Sequence, residues 1–229
     1  MPPRRALTGL PGAKMYLPAH FAETRPEVLR ALVRTHSFGL LMTQANDGEL
    51  VADAVPFFLD TEPVDGPHGV LRAHVARANP LWQRSRADLD CLVVFQGPQA
   101  YVSPAWYPSK AEHGKVVPTW NYILVQARGR LRAVEDTAWL RDFVGRLTDR
   151  HEAPRPSPWS VQDAPADYVE TMLGAIVGIE IALSSIVGKW KASQNRSPAD
   201  RAGVARGLAE EAGPAFAALS GTPHAGQGE

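Results

Sequence analysis

Four short segments of the sequence gather polar, cationic and aromatic side chains more densely than a plain hydrophobic core would. The first, 74–82, places His74 and Arg77 at the end of a predicted strand and Asn79 at the start of a predicted helix. Free N–H groups at a helix N-terminus, together with an arginine, bind phosphate well. A simpler interpretation fits equally: Asn79 caps the helix and Arg77 is solvated. Both interpretations stay open from these residues alone.

The second and third segments place aromatic rings beside hydroxyl groups. Segment 96–107 combines Gly-Pro and Ser-Pro turns with three aromatic residues and Ser103, which predicts a rigid, turn-rich wall. Segment 115–122 leads into a strand through Thr119 and Trp120. Aromatic walls suit a flat heterocyclic ligand, although aromatic clusters more often form ordinary core.

The fourth segment, 189–196, follows the last predicted core strand. It gathers three cations, a hydroxyl and two amides, and its candidate ligand-binding residues are Lys191, Gln194 and Arg196. A run of charges is usually a solvated surface. Here Trp190 and the amides interrupt the run with groups that favour defined partners, so an anion site or a subunit contact is an equal alternative.

The charge balance and the cysteine content narrow the class of protein. Lys plus Arg and Asp plus Glu both number 24, so the net charge is zero. Proteins that hold DNA by neutralising many phosphates usually carry a basic excess, so charge does not support DNA as a partner. The single cysteine, Cys91, lies in an apolar run, which predicts a buried thiol and a reducing, cytoplasmic setting. No stretch has transmembrane length, and no metal-site or hydrolase motif is found.

The periodicity of apolar residues predicts an α+β fold. An amphipathic helix is predicted to end near His36, and an Asn46-Asp47-Gly48 turn predicts a hairpin. Strands are predicted over 38–43, 50–59, 70–75, 91–96, 122–133 and 176–181. Hairpin-linked strands with helices set apart favour an antiparallel sheet closed as a barrel. We expect one domain over 14–212, between a disordered leader over 1–13 and a flexible tail over 213–229.

The same segments, in the same order, resemble the PaiB family of FMN-binding negative transcriptional regulators. The resemblance spans about Met15 to Leu208 and rests on these motifs: Met15-Tyr16-Leu17-Pro18, His74–Pro80 with Trp82, Phe95–Pro98, Ala100–Pro104, Val117–Tyr122, Val177–Ile179, and Lys191 with Ser193–Arg196. It implies an antiparallel split β-barrel of the FMN-binding type with peripheral helices. It also implies a homodimer with FMN between the subunits.

The resemblance joins the separate candidates into one predicted cofactor site. The predicted FMN-binding residues are His74, Arg77, Asn79, Ser103, Thr119, Trp120, Lys191, Gln194 and Arg196. Lysine and arginine would hold the phosphate, and Thr119, Trp120 and the Ser103 wall would contact the ring. Two residues depart from the family pattern: Ala54 and Gln99 stand where histidine is common. His74 is then the main imidazole candidate near the cofactor.

The resemblance leaves the biological task open. A cofactor-binding dimer that lowers expression of target genes is one hypothesis. A flavin- or haem-dependent enzyme is another, because haem-dependent piperazate synthases, which form an N–N bond, are similar in the same segments. In that case His74 is the best candidate for the axial ligand, and a lysine or a tyrosine is a less usual one. A cofactor-free dimer with a degenerate pocket is the third.

Overall fold

The computed structural model describes residues 15–61 and 67–212, so the predicted leader and tail lie outside the described residues. The helices are α1 (Pro26–Thr35), α2 (Leu81–Arg84), α3 (Ser109–His113), α4 (Thr137–Glu152), α5 (Ala166–Gly174) and α6 (Pro198–Ala212). The strands are β1 (Ala22–Glu23), β2 (Phe38–Gln44), β3 (Leu50–Pro56), β4 (Phe58–Asp60), β5 (Val70–Ala76), β6 (Asp90–Val102), β7 (Thr119–Val134) and β8 (Ile176–Lys191). Crossing a lipid bilayer would take a longer and more apolar helix than any of these described ones.

The strands form an eight-stranded sheet in the order β3-β2-β6-β7-β8-β5-β4, with β1 paired to β8. The strand pairs with a defined register are antiparallel. β2 and β3 form the predicted hairpin, and Gly48 takes the positive φ of 90° that its tight turn requires. The predicted α+β class with an antiparallel sheet is confirmed.

The described residues divide into two compact units. The first unit comprises 15–32, 96–125 and 187–212, and the second comprises 33–61, 67–95 and 126–186. Strands β6, β7 and β8 each continue along the chain from one unit into the other. The prediction of one domain over 14–212 stays a prediction.

Each unit has its own buried core. In the second unit, the rings of Phe57 and Phe95 pack edge to face with centroids 5.7 Å apart, and both are fully buried. In the first unit, α6 covers a cluster whose members are Ala100, Val102, Tyr107, Val204 and Leu208. The close approach of α6 depends on Gly203, because a Cβ there would lie 2.0 Å from the backbone oxygen of Trp106.

Two strands are longer than their local sequence predicts. β6 continues through Gly97 and Pro98 to Val102, where turns were expected. Its alternation of buried side chains shifts by one residue between Gly97 and Ala100, which is the pattern of a β-bulge. Proline is tolerated at bulges, so the Gly-Pro part of the predicted wall is strand, whereas the Ser-Pro part forms the 3-10 turn Pro104–Trp106. β8 likewise continues to Lys191, so two of the three cations expected after the strand, Lys189 and Lys191, are part of it.

Cys91 is buried on β6, as predicted. Its thiol donates a weak hydrogen bond to the backbone oxygen of Gly129 at 3.2 Å. Burial raises the pKa of the Cys91 thiol to about 12, because the thiolate loses its hydration. The thiol is therefore a structural group rather than a nucleophile.

Candidate functional site

Two lysines at the end of β8 lie on the same side of the strand, because side chains alternate along it. The ammonium group of Lys189 donates to the backbone oxygen of Tyr16 at 2.9 Å. That of Lys191 donates to the backbone oxygen of Trp120 at 2.6 Å and contacts the hydroxyl of Thr119. The pairing of β1 with β8 brings the segment that carries Tyr16 to this strand. The structure thus brings three predicted site residues together: Thr119, Trp120 and Lys191.

Aromatic rings surround the two ammonium groups. The centroid of Tyr122 lies 5.5 Å from Nζ of Lys189 and 5.9 Å from Nζ of Lys191. The ring of Tyr16 lies 5.3 Å from Nζ of Lys189. A ring quadrupole attracts a cation at such distances and stabilises it where it is partly removed from water.

The lysines open into a cavity of about 510 Å³, which we call the lysine pocket. It is lined by Tyr16, Pro18, Ala19, His20, Phe21, Tyr122, Lys189 and Lys191. No carboxylate is among these lining residues, and neither lysine forms an ion pair with any described residue. Lys189 is nevertheless buried, with only 8% of its surface exposed. A buried cation without a counter-charge is costly, so the pocket suits an anionic ligand.

Burial and neighbouring positive charges shift the pKa of Lys191. Burial lowers the pKa of its ammonium group, and the positive charges of Lys189 and Arg196 lower that pKa further. A bound anion would reverse this effect, because it favours the charged form. The electrostatics of the lysine pocket therefore also favour an anion.

The turn after β8 holds the other cation. Ser193 is buried in the left-handed region with a φ of 62°, and its hydroxyl donates to the side-chain oxygen of Asn121 at 3.1 Å. The backbone N–H of Arg196 donates to the Ser193 oxygen at 2.9 Å, which closes the turn. The guanidinium carbon of Arg196 lies 4.8 Å from the ring centroid of Tyr107. Gln194 uses its amide oxygen inside the turn, where it accepts from the backbone N–H two residues earlier.

The aromatic segments of the first unit present one exposed pair of rings. Tyr101 and Trp120 pack edge to face with centroids 6.0 Å apart, and they are 46% and 52% exposed. Ser103 has a local role, since its hydroxyl accepts from the backbone N–H of Ala105 at 3.2 Å and caps a 3-10 turn. The pair therefore presents partly exposed aromatic surface next to Lys191, whose ammonium group donates to the backbone oxygen of Trp120.

Arg77 belongs to the second unit, where protein groups occupy its guanidinium. It donates to the backbone oxygens of Gly174 and Ile176 at 2.9 and 3.2 Å, and to the carboxylate of Glu135 at 2.6 Å. Its guanidinium carbon also lies 5.8 Å from the ring of Trp82. Arg77 therefore joins segments of the second unit, and its assignment to a phosphate stays a prediction.

Asn79 is also engaged locally in the second unit. Its side-chain oxygen accepts from the backbone N–H of Leu81 at 2.8 Å, which forms an Asx turn immediately before α2. Its amide nitrogen donates to Asp53 at 3.0 Å. Local hydrogen bonds account for the polar atoms of this residue, and its contact with a cofactor stays a prediction.

His74 lies on β5 in the second unit, packed edge to face against Phe143 with centroids 6.0 Å apart. Its Nδ1 atom is buried and makes no hydrogen bond with the described residues. Burial lowers the pKa of the imidazole below its usual value of 6.5, because the charged form is poorly solvated. The ring is therefore neutral at physiological pH, and its role as a cofactor ligand stays a prediction.

We expect the stability of the folded chain to fall on acidification through His74. The unfolded chain binds a proton near pH 6.5, whereas the folded chain binds it only at lower pH, so stability decreases as pH falls from 6.5 towards the folded pKa. Urea unfolding at pH 7.5, 6.5 and 5.5 measures this slope. His74→Gln should flatten it, and His151→Gln at an exposed position on α4 should not. Equal slopes in all three proteins would contradict the assignment.

Comparison with known proteins identifies the family. Residues 15–185 match the family model described as "Putative FMN-binding domain". Protease synthase and sporulation protein PAI 2 of Bacillus subtilis is 32% identical over 200 residues, covering 87% of this chain and 92% of the relative. The chain belongs to the PaiB-type FMN-binding family. The resemblance inferred from the sequence motifs is thereby confirmed.

A second relative comes from a fungus. An uncharacterized protein of Emericella nidulans is 35% identical over 226 residues, covering 85% of this chain and 90% of the relative. Among solved structures, the conserved hypothetical protein Rv2991 of Mycobacterium tuberculosis superposes with a TM-score of 0.55 at 14% identity. That likeness covers 80% of this chain and 94% of the other. The fold is an α+β split barrel, and the protein is a flavin-binding member of that fold.

The lysine pocket includes residues that the predicted site of this PaiB-type chain omits. The pocket is lined by Lys189, Tyr16, His20 and Tyr122 among others, whereas Lys191 is the only lining residue that was predicted. The alternation of Lys189 and Lys191 was a usable signal, since residues two apart share a face of a strand. The contribution of Tyr16 comes from a segment far away in the sequence and has no local signal.

Proposed function

We propose that this flavin-binding protein takes FMN and that Lys189 and Lys191 hold the phosphate. The observation that carries the proposal is a pair of lysines, without carboxylate partners, in a pocket also lined by Tyr16 and Tyr122. Ammonium groups form strong, charge-assisted hydrogen bonds with phosphate oxygens. The donor set therefore fits the phosphate of FMN.

The aromatic residues around the lysines suit the rest of the cofactor. Trp120 and Tyr101 offer partly exposed rings, and Thr119 offers a hydroxyl beside Lys191. Flavin supplies electron-transfer chemistry when bound. The residues of this chain supply the charge that anchors it and the apolar surface that excludes water from the ring.

Haem is the weaker alternative. Its propionates would also suit lysines, but its iron requires an axial ligand. His74, the best predicted ligand, packs edge to face against the ring of Phe143 with centroids 6.0 Å apart. Flavin therefore explains the lysine pocket with fewer requirements.

Absorption spectroscopy and titration test the cofactor. We expect the purified or reconstituted protein to show flavin bands and no Soret band. FMN should bind about 100-fold more tightly than riboflavin, which lacks the phosphate, because two charged hydrogen bonds are lost. Equal affinity for the two compounds would contradict a phosphate site, and a Soret band would favour haem.

We also infer that a second copy of the chain covers an apolar face of the second unit. The face consists of residues that share one side of three neighbouring strands: Phe38, Leu40, Met42, Leu50, Ala52, Ala54, Leu92 and Val94. The strand register places Leu40 opposite both Ala54 and Val94. Phe38 and Leu50 are 68% and 81% exposed. Contiguous apolar surface of this kind marks an interaction site, and the family resemblance implies a homodimer.

Leu40→Glu is expected to dissociate that dimer. An unpaired charge buried in the interface costs about 3 kcal/mol or more, which raises the dimer dissociation constant about 100-fold. Light scattering coupled to size exclusion would report the mass of a 24.9 kDa monomer instead of a dimer. Leu89→Glu, also at an exposed leucine but outside this face, should stay dimeric. A monomeric wild-type protein would refute the inference.

We propose negative regulation of transcription by a flavin-bound dimer as the biological task. The family resemblance supports it, and the zero net charge favours action through a protein or a small ligand over broad phosphate contact. A flavin oxidoreductase is the second candidate, favoured by the partly exposed rings of Tyr101 and Trp120, against which an aromatic substrate would pack.

Two assays separate these tasks. Selection of bound fragments from genomic DNA, repeated at 50 and 200 mM salt (about a two-fold change in Debye length), tests direct repression. Steady-state oxidation of a nicotinamide donor by the FMN-loaded protein tests catalysis. Sequence-specific retention at both salt concentrations supports the regulator, whereas turnover without retention supports the enzyme.

A further inference from the structure

A second cavity, contained within the second unit, has a carboxylate without its full set of partners. This cavity of about 410 Å³ is lined by Thr43, Glu49, Val51, Asp53, Leu81 and Arg84 among others, and we call it the Asp53 cavity. Oδ1 of Asp53 accepts from Asn79 at 3.0 Å. Oδ2 is buried and accepts no hydrogen bond from any described residue.

The local structure fixes this arrangement. Alternation along β3 puts Asp53 on the same side as Val51 and the buried Val55, so the carboxylate points towards the interior. Asn79 cannot supply a second bond by turning, because its own oxygen is held by the backbone N–H of Leu81 at 2.8 Å. A buried carboxylate oxygen without a donor is costly, and residues 15–61 and 67–212 do not provide one.

The cation that lines the cavity is already neutralised. Arg84 pairs with Asp47 at 2.6 Å and lies 3.4 Å from Glu49. Ser85, another lining residue, donates its hydroxyl proton to the backbone oxygen of Leu81 at 2.7 Å. Asp53 therefore lacks a counter-charge within the cavity, whose lining carries two carboxylates and one guanidinium.

We propose that the Asp53 cavity binds a small primary ammonium compound with a short apolar stem. The ammonium group donates to Asp53, and the hydroxyl of Thr43 on the cavity wall offers a further acceptor. The stem lies against Val51 and Leu81. A turn about the Cβ–Cγ bond of Asp53, a broad and soft torsion, reorients a carboxylate oxygen towards the ligand. This site is independent of the proposed FMN site.

Titration with n-butylammonium chloride tests the proposal in the full chain. Calorimetry should show saturable binding, and amide NMR shifts should concentrate at residues 43–53 and 79–85. The uncharged isostere n-butanol and magnesium chloride at equal ionic strength should give neither response. A comparable response to n-butanol, a response to magnesium alone, or shifts centred elsewhere would overturn it.

The variant Asp53→Asn tests how much the charge of Asp53 contributes to ligand binding. Asparagine keeps an acceptor for Asn79, so the fold should be retained, and circular dichroism checks this. The affinity for n-butylammonium should fall about tenfold or more, because a charge-assisted bond becomes a neutral one. Asp149→Asn removes the same charge at an exposed position of α4 and should leave the affinity unchanged. Unchanged binding in Asp53→Asn would overturn the proposal, and the NMR map of the wild-type protein decides it if that variant does not fold.

Discussion

Replacing Lys191 with alanine is expected to weaken FMN binding by about 2–3 kcal/mol, roughly 30- to 150-fold in Kd. The ammonium group lies in the lysine pocket with no carboxylate to satisfy it among the described residues, so a bound phosphate would be its main counter-charge. Flavin fluorescence quenching or calorimetry measures the change. Lys110→Ala, at an exposed lysine of α3, is the matched control and should bind FMN as the wild type does.

The affinity for riboflavin and the pH dependence of FMN binding make this test more specific. If Lys191 acts on the phosphate, the variant should lose affinity for FMN but keep the wild-type affinity for riboflavin. The lowered pKa of Lys191 also means that it loses its proton at a lower pH than an ordinary lysine. FMN affinity should therefore fall as pH rises towards that pKa, and Lys191→Ala should remove this dependence. Equal losses for both flavins would point to general disruption of the pocket.

Gly129→Ala is expected to destabilise the fold by about 3 kcal/mol, which lowers Tm by roughly 6–12 °C in a chain of this size. Gly129 lies on β7, and a Cβ there would stand 2.1 Å from the backbone oxygen of Ala182 on the neighbouring β8. Backbone in the middle of a sheet cannot move aside as a flexible side chain can. Thermal and urea unfolding followed by circular dichroism measure the loss.

Gly145→Ala is the matched substitution. Gly145 lies on α4 with no atom within 4 Å of its would-be Cβ, and helix propensity favours alanine over glycine by about 1 kcal/mol. We therefore expect this variant to be slightly more stable than the wild type. A similar loss in both variants would show that the crowding at Gly129 is relieved at little cost.

Local sequence patterns predicted the features that depend on residues close together in the sequence. Helix α1 over Pro26–Thr35 and the hairpin turn at Gly48 follow from apolar spacing and turn chemistry. The burial of Cys91 follows from its apolar run. The continuation of β6 through Gly97 and Pro98 could not be predicted in this way, because pairing with other strands overrides the local preference for a turn.

The candidate site shows the same limit. Thr119, Trp120 and Lys191 were predicted from residue type, and the structure brings them together. Arg77 and Asn79 were chosen by the same reasoning, yet their polar atoms bind backbone and carboxylate groups of the second unit. Residue type indicates which groups a side chain can bind, whereas the long-range packing of the chain determines which of those groups it contacts.

The left-handed conformation of Ser193 restricts which sequences can keep this site. A side chain at a φ of 62° costs of order 1 kcal/mol, which glycine would avoid and asparagine would partly avoid. Glycine, however, would forfeit the bond to Asn121. Serine thus tolerates the unfavourable backbone angle and still makes the polar contact with Asn121. A homologue with a β-branched residue at this position would need a different loop conformation to place its arginine.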